Sequence, residues 1–527
     1  MRIHWFSPLP PARTDIAHFT ARVLPALAEK ADVVLWTDQA QWSAELERYA
    51  AVRRFDAGNP DWSLLHGADA TFFNIGNSSR FHRDIWQVCR RYPGITILHD
   101  VLLHDAIVNH CRISPEVGGV YPDGWTSERM TVAFGASDQA RRLTVRLRHS
   151  DRIPDTITVS VADSQYGIAC GQEQTIVRNL PAEAGTLGFL ISPALPPGED
   201  PRTLGCRLEE ATISGRNGEV VLNGRATYLD IMGSMYGARG RSDARWHWDG
   251  VLSLEQMARA YSCAPYVLPA SLAAVVHSRA AERILQRETQ APVERLDLPF
   301  PAGSEPAPHT GAPPWQLIVF GYLGPNRGLD CILAALRSAR HRDRFHLHIY
   351  GELHDPDEFR ELTRKLLAGS GVTFHGFVPE EELEAALANA HLAINLRYPT
   401  RGEASGSQLR IWRHGLPSVV TKTGWFAELP ENTVAFVRPE CMTEDLVERL
   451  DEYASAPERF AQMGMNGRCY FVERHSPERY AVRLIEMAGD VQALGKSSRL
   501  TSPSKLEAGP GMAGQGRMMD GRMSRLG

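Results

Sequence analysis

The chain has 527 residues, 43% of them hydrophobic and 23% charged, a globular composition too long for one hydrophobic core. Its formal net charge of −5 supplies no basic field, which argues against nucleic acid as the main partner. Eight scattered cysteines form no CxxC pair and no zinc-finger spacing, no apolar signal core opens the chain, and no run of about 18 apolar residues is present to span a bilayer. The expectation is therefore reduced thiols in a cytoplasmic setting, with peripheral contact at the inner face of a membrane left open.

Strand and helix signals alternate from the start. Ile3 to Phe6 reads as a strand, and Ile16, Phe19, Val23, Leu24 and Leu27 recur at helical spacing. Val33 to Trp36, Thr71 to Ile75 and Ile95 to Leu98 are short apolar runs, with an amphipathic segment from Phe81 to Cys89. This rhythm predicts a parallel sheet covered on both faces. From about residue 113 the pattern changes to short alternating runs, as in Leu143, Val145, Leu147 and Ile157, Val159, Val161. Gly-, Pro-, Asp- and Asn-rich turns separate them, which predicts an antiparallel β-sandwich inserted at a surface loop. Helical signals return at Tyr228 to Gly237, Leu254 to Ala260, Tyr266 to Val276 and Ala280 to Gln286.

Leu298 to Pro314 is Pro/Gly-rich and reads as a linker. Strand–helix rhythm then resumes: Gln316 to Phe320, Leu329 to Arg337, His346 to Tyr350, a helix at Glu358 to Ala368, Val372 to His375 and Glu380 to Ala388. Beyond about Lys496 the chain loses periodicity and is expected to be a disordered tail. The expected organisation is thus a front α/β lobe of residues 1–112 and 226–300, an insert of 113–225, a linker of 301–314, a rear α/β lobe of 315–490 and a tail of 496–527.

In open parallel sheets, ligands sit beyond the carboxyl ends of the strands. The most informative such place is the loop from Arg397 to Ser407 between the strand-like Ala393 to Leu396 and a following helix. A strand opening through Ser405 and Gly406 into a helix presents free backbone N–H groups and a positive helix end, which suits a phosphate. Glu403 beside it suits sugar or ribose hydroxyls, although an ordinary βα loop has the same form. His99 and Asp100 end another strand: either an N-cap Asp with a packed His, or polar contacts to substrate hydroxyls, with His99 able to strengthen a hydrogen bond in the transition state. The loop after the first strand holds Pro10. Gly321 to Gly328 carries Asn326 and Arg327 at a helix start, where Arg327 is either a solvated charge or a diphosphate contact. Val378, ending another strand, either frames a nucleotide base or is turn chemistry.

Together, Ser7 to Pro11 with Ile16-Ala17, Leu98-His-Asp100, Leu298 to Pro301, Gly321 to Gly328 and Arg397 to Pro430 resemble the retaining glycosyltransferases of family 4, also called group 1, on the GT-B fold. The resemblance covers about residues 1–112, 226–300 and 315–490 and looks closest to bacterial polysaccharide-assembly enzymes, which also carry spliced β-domains. It implies two Rossmann-like lobes facing a cleft. The reaction it implies is transfer of a sugar, with retention, from a nucleotide diphosphate sugar to a glycan or lipid-linked glycan, with no metal and no cofactor. On this resemblance His99 and Glu403 are catalytic. Arg327, Asn326, Ser405, Gly406, Arg410 and Val378 bind the donor, and Asp100 and Pro10 face the acceptor.

The chain departs from the family pattern at three places. Tyr322 stands where a second basic residue is common. The paired-glutamate motif keeps Glu403 but has Ile411, or Arg410 in a shifted register, in its second slot. Asp15 occupies a loop position where relatives carry a small residue. These departures leave a second reading open, a decayed site retained for glycan or partner binding. The insert is either a lectin-like module, with Trp125, Trp246 and Trp248 able to stack on sugars, or a structural or docking insert, since solitary Trp residues are more often packing anchors.

Overall fold

The computed structural model describes residues 1–57, 60–111, 116–121, 124–149, 156–197, 203–216, 218–353 and 371–500. In chain order the front lobe opens with β1 (Arg2–Phe6), α1 (Asp15–Ala28), β2 (Asp32–Thr37), β3 (Ala51–Arg54), α2 (Trp62–Leu65), β4 (Ala70–Ile75), α3 (Ser79–Cys89), β5 (Gly94–Leu98) and α4 (His104–Cys111). Strands β4 and β5 are buried at every residue, as central strands of a sheet covered on both faces must be. Helix α1 turns Ile16, Phe19, Val23, Leu24 and Leu27 inward, the stripe that its sequence spacing predicts.

The chain then leaves the lobe for nine antiparallel strands: β6 (Val117–Val120), β7 (Thr126–Phe134), β8 (Arg141–Arg148), β9 (Ile157–Val161), β10 (Ser164–Ile168), β11 (Glu173–Leu180), β12 (Gly185–Ser192), β13 (Arg207–Gly215) and β14 (Gly218–Asn223). They form two sheets, ordered β10-β9-β12-β7-β6 and β11-β8-β13-β14. Met130, Val132, Val145, Leu147, Val159, Phe189 and Ile191 close a core between the sheets that is separate from those of the lobes. The departure and return points touch, because the Gly224 N–H donates to the Cys111 carbonyl at 3.0 Å. A long insert therefore leaves the lobe's own packing intact. A buried ion pair, Arg225 Nη1 to Glu209 Oε2 at 2.5 Å, ties the sandwich to the lobe.

After the insert come α5 (Arg225–Trp248), α6 (Leu254–Ala260), β15 (Ser271–Val276), α7 (Arg279–Leu285) and β16 (Val293–Arg295). Strands β15 and β16 complete a seven-stranded parallel sheet ordered β16-β15-β5-β4-β1-β2-β3. The helix expected over Tyr266 to Val276 is instead a 3-10 turn, Ala264–Val267, followed by β15. A short apolar run does not reveal its own period, and the open sheet edge beside β5 supplies the partner that selects strand.

The rear lobe holds β17 (Trp315–Phe320), α8 (Leu329–Ser338), β18 (Phe345–Tyr350), β19 (Val372–Gly376), α9 (Glu380–Asn389), β20 (Leu392–Asn395), α10 (Gly406–Arg413), β21 (Ser418–Thr421), β22 (Ala435–Val437), α11 (Met442–Ser455), α12 (Pro457–Arg474) and α13 (Pro477–Leu500). Its six-stranded parallel sheet is ordered β19-β18-β17-β20-β21-β22. The helix expected at Glu358 to Ala368 and the tail beyond residue 500 lie outside the described residues. Helix α13 continues past Lys496, where the tail was expected to begin, and it returns to the front lobe. Tyr480 meets Phe19 of α1 edge-on at 5.8 Å, Gln492 Nε2 donates to Asp69 Oδ1 at 2.8 Å, and Arg483 Nη2 pairs with Glu294 at 2.9 Å. One apolar cluster, including Phe19, Leu298, Phe300, Trp412, Phe471 and Tyr480, runs through both lobes behind the cleft. Among the described residues no helix is long and apolar enough to cross a membrane, and none of the eight cysteines is disulfide-bonded.

Candidate functional site

The carboxyl ends of the two parallel sheets face each other. In the rear lobe, Gly321 directly follows β17 and Gly351 directly follows β18, both at positive φ. A Cβ at Gly351 would lie 1.8 Å from the Gly321 carbonyl oxygen, so only glycine lets the strand ends touch and leave the floor of the cleft open. Arg327 is buried at that floor. Its Nη1 donates to Asn395 Oδ1 at 2.8 Å and its Nε to the Tyr322 carbonyl at 3.3 Å. Both acceptors are neutral. Burial, and then Arg397, draw the Arg327 pKa well below the ordinary guanidinium value, with Glu403 and Asp15 opposing. An arginine keeps its proton in a protein, so this direction marks a cation short of counter-charge.

Asn395 joins Arg327 to the start of α10. Its Nδ2 donates to Gln408 Oε1 at 3.1 Å and to Ser405 Oγ at 3.4 Å. Ser405 is the N-cap, accepting from the Gln408 N–H at 3.1 Å. Its hydroxyl therefore shapes the helix end, and the N–H groups of Gly406 and Ser407 have no acceptor among the described residues. A Cβ on Gly406 would lie 2.4 Å from Asp15 Oδ2 of the opposite lobe. Asp15 pairs with Arg22 at 3.1 Å. Burial works to raise the Asp15 carboxyl, but Arg22 outweighs it, with His18 and Arg410 behind, and holds the pKa below the ordinary value.

Glu403 is the acid of the loop before α10. It accepts from Thr400 Oγ1 at 2.8 Å and from the Arg401 N–H at 2.6 Å, and Arg397 Nη1 lies 3.3 Å from Oε1. The buried Arg397 Nε has no partner among the described residues. From the front lobe comes Asp100, accepting from the Asn77 N–H at 2.8 Å. Burial, and then the Glu403 charge, push its carboxyl up to about 7, against the Asn77 hydrogen bond and Arg397. His99 donates from Nε2 to Asn74 Oδ1 at 3.1 Å, an orientation set because Asn74 Nδ2 donates to the Phe6 carbonyl at 3.0 Å. Burial, and then His277 and His82, hold its pKa well below the ordinary value, so His99 is neutral and presents Nδ1 as an acceptor.

The structure thus brings Arg327, Gly406, Glu403 and Asp100 around one crevice, with His99 next to Asp100 in the chain and edge-on to Phe19 at 4.4 Å. Three of the expected residues have partners of their own. Arg410 turns to α9, 2.6 Å from Glu380 and 3.7 Å from Glu384, because those acids satisfy its charge. The Val378 side chain packs against the rear-lobe core with Ile318, Tyr350 and Leu387, where its apolar surface is worth most. Pro10 accepts from the Ser43 N–H at 2.7 Å and lies against the segment that follows β2. Asn326 acts through its backbone, its carbonyl accepting from the Tyr398 N–H at 2.8 Å. Sequence reasoning missed Asn74, Asn77, Asn395, Arg397 and Arg401. A signal existed for Asn395 and Asn74, each a polar residue within an apolar strand run.

Residues 308–469 match the family model of glycosyl transferases group 1. The chain is similar in fold to HepE from Anabaena in complex with UDP and glucose, at 12% identity and a TM-score of 0.50, covering 93% of this chain and 100% of that one. It is similar also to sucrose-phosphate synthase from Thermosynechococcus elongatus, at 13% identity and a TM-score of 0.53, covering 94% and 100%. No curated protein matches the chain. The fold is therefore GT-B, two Rossmann-like lobes about a cleft. Its rear lobe carries the group 1 glycosyl transferase sequence signature.

Proposed function

We propose that the protein is a retaining glycosyltransferase that moves a sugar from a nucleotide diphosphate sugar to a glycan or lipid-linked glycan acceptor, without a metal ion. The observation that carries this reading is the buried Arg327, short of counter-charge and tied through Asn395 to the open N-terminus of α10. A departing nucleoside diphosphate gains negative charge as the glycosidic bond breaks. Arg327, Arg397 and the first N–H groups of α10 would stabilise that charge without reorganising. The sugar carbon becomes oxocarbenium-like, a cation favoured by the nearby Glu403 carboxylate. Neutral His99 accepts from a sugar hydroxyl through Nδ1. Asp100, titrating near neutrality, accepts the acceptor hydroxyl's proton or its hydrogen bond.

The test is donor turnover with a panel of nucleotide diphosphate sugars, with and without acceptors, in chelator and with added Mg²⁺. Turnover with retained anomeric configuration in chelator is expected. No turnover with any donor, together with no nucleotide binding by calorimetry, would falsify the proposal. Nucleotide binding without turnover would favour the binding-module reading, which the Asp15 carboxylate against Gly406 supports, since it lies where a donor phosphate would bind.

A further inference from the structure

The loop that bears Glu403 also bridges the lobes, and Arg401 makes most of the polar contacts. The Arg401 carbonyl accepts from the Val101 and Leu102 N–H groups of the front lobe at 3.1 and 3.0 Å. Its guanidinium is bidentate to Asp105, Nε to Oδ2 at 2.7 Å and Nη2 to Oδ1 at 3.1 Å, and Nη1 donates to Glu255 at 2.8 Å. The pair is largely enclosed, with the Arg401 side chain 17% and Asp105 20% exposed. Gly402, at φ +85°, lets the loop press on Val101, whose Cγ1 would lie 2.3 Å from any Cβ there.

These contacts form a continuous path between the two cleft carboxylates. The Arg401 N–H holds Glu403 Oε2 at 2.6 Å. Its side chain holds Asp105, which accepts from Asn77 Nδ2 at 2.9 Å. The backbone N–H of the same Asn77 holds Asp100 Oδ2 at 2.8 Å. Opening the lobes at this point would take Arg401 from Asp105 and Glu255, leaving Asp105 with Asn77 and Glu255 with Arg259, and would break the path between its two ends.

We propose that Arg401 is a positioning residue of the transfer reaction: it latches the two lobes and sets Glu403 of the rear lobe in register with Asp100 of the front lobe. This rests on the functional reading above. The loop loses its charged anchor to the front lobe when the guanidinium is removed and keeps the backbone bonds to Val101 and Leu102, while the nucleotide-binding floor formed by Gly321, Arg327 and Asn395 is untouched. Arg401 therefore governs turnover rather than nucleotide affinity.

The experiment compares wild type with Arg401→Gln, Arg401→Lys and Asp105→Asn by small-angle scattering without ligand, by calorimetry with UDP, and by steady-state turnover of whichever donor the panel identifies. For Arg401→Gln the expected results are a larger radius of gyration, a UDP Kd within about twofold of wild type, and kcat lower by about 10- to 100-fold, the scale of a misplaced reacting group. Arg401→Lys keeps one contact and recovers part of kcat. Asp105→Asn matches Arg401→Gln, and the double variant loses no more than either single change. An unchanged kcat overturns the proposal, as does a kcat loss matched by an equal loss of UDP affinity. If wild type turns over no donor, the functional reading fails. The scattering comparison then still decides the latch, and an unchanged radius of gyration in both Arg401→Gln and Asp105→Asn overturns it.

Discussion

Replacing Arg327 with Met should weaken nucleoside diphosphate binding and leave stability unchanged or raised. The side chain is buried, its two protein acceptors are neutral, and Arg397 repels it while Glu403 and Asp15 attract it. Charge-assisted hydrogen bonds to a phosphate contribute about 1.5–3 kcal/mol, so the Kd for UDP should rise by roughly 10- to 150-fold. On the stability side, Met removes a buried charge whose desolvation costs several kcal/mol, and strands Asn395 Oδ1 at about 1–3 kcal/mol. The two effects offset, or favour the variant. Calorimetry with UDP and a thermal melt read the two quantities separately. If Arg327 is instead a structural residue, the variant melts several degrees lower and binds UDP as wild type does, and that pattern refutes the phosphate site.

Glu403→Gln should lower turnover by about a hundredfold, the order for one positioned charged group, with the UDP Kd unchanged; equal turnover removes Glu403 from the reaction. Gly406→Ala should weaken UDP binding by about 1–3 kcal/mol, because the new Cβ drives into Asp15, and Asp15→Ala in the same chain should restore most of the loss; additive losses disprove the contact. Asp100 has a folded-state pKa raised to about 7 against an unfolded value of about 3.9. Between those values the folded state holds a proton that the unfolded chain has released. Its stabilising contribution is thus full below about pH 4 and is lost as pH rises through about 7. Denaturant titrations over that window should show a downward slope that Asp100→Asn abolishes. The buried Tyr480 hydroxyl lacks a partner among the described residues, so Tyr480→Phe should stabilise by up to about 1 kcal/mol, whereas Tyr480→Ala should cost about 3 kcal/mol through the interlobe cavity; melts with both variants check the pair.

Much of the site was legible because its chemistry is local. Ser405 and Gly406 announce a helix start beside a strand end, and Glu403 and Arg327 are charges placed just before helices. The partners of Arg410 and Val378 were not legible. Both lie at the expected chain positions, but the partners that claim them, Glu384 and Glu380 on α9 for one and Leu387 with Tyr350 for the other, come from elements that no local spacing connects. Arg397 turns to Glu403 and Arg401 to Asp105 and Glu255, and the sequence shows both as charges in a polar segment.

Period and composition by themselves determined two α/β lobes, an antiparallel insert and the strand ends to examine, because buried parallel strands, amphipathic helices and alternating sandwich strands each impress a repeat on the chain. Only the tertiary structure decided that Ser271 to Val276 is a strand, that α13 returns to the front lobe, and that Arg401 binds Asp105. Each of these depends on free energy gained between residues far apart in sequence. A sheet edge must be filled, an apolar helix face must be covered, and a half-buried cation must find its carboxylate wherever the fold has brought one.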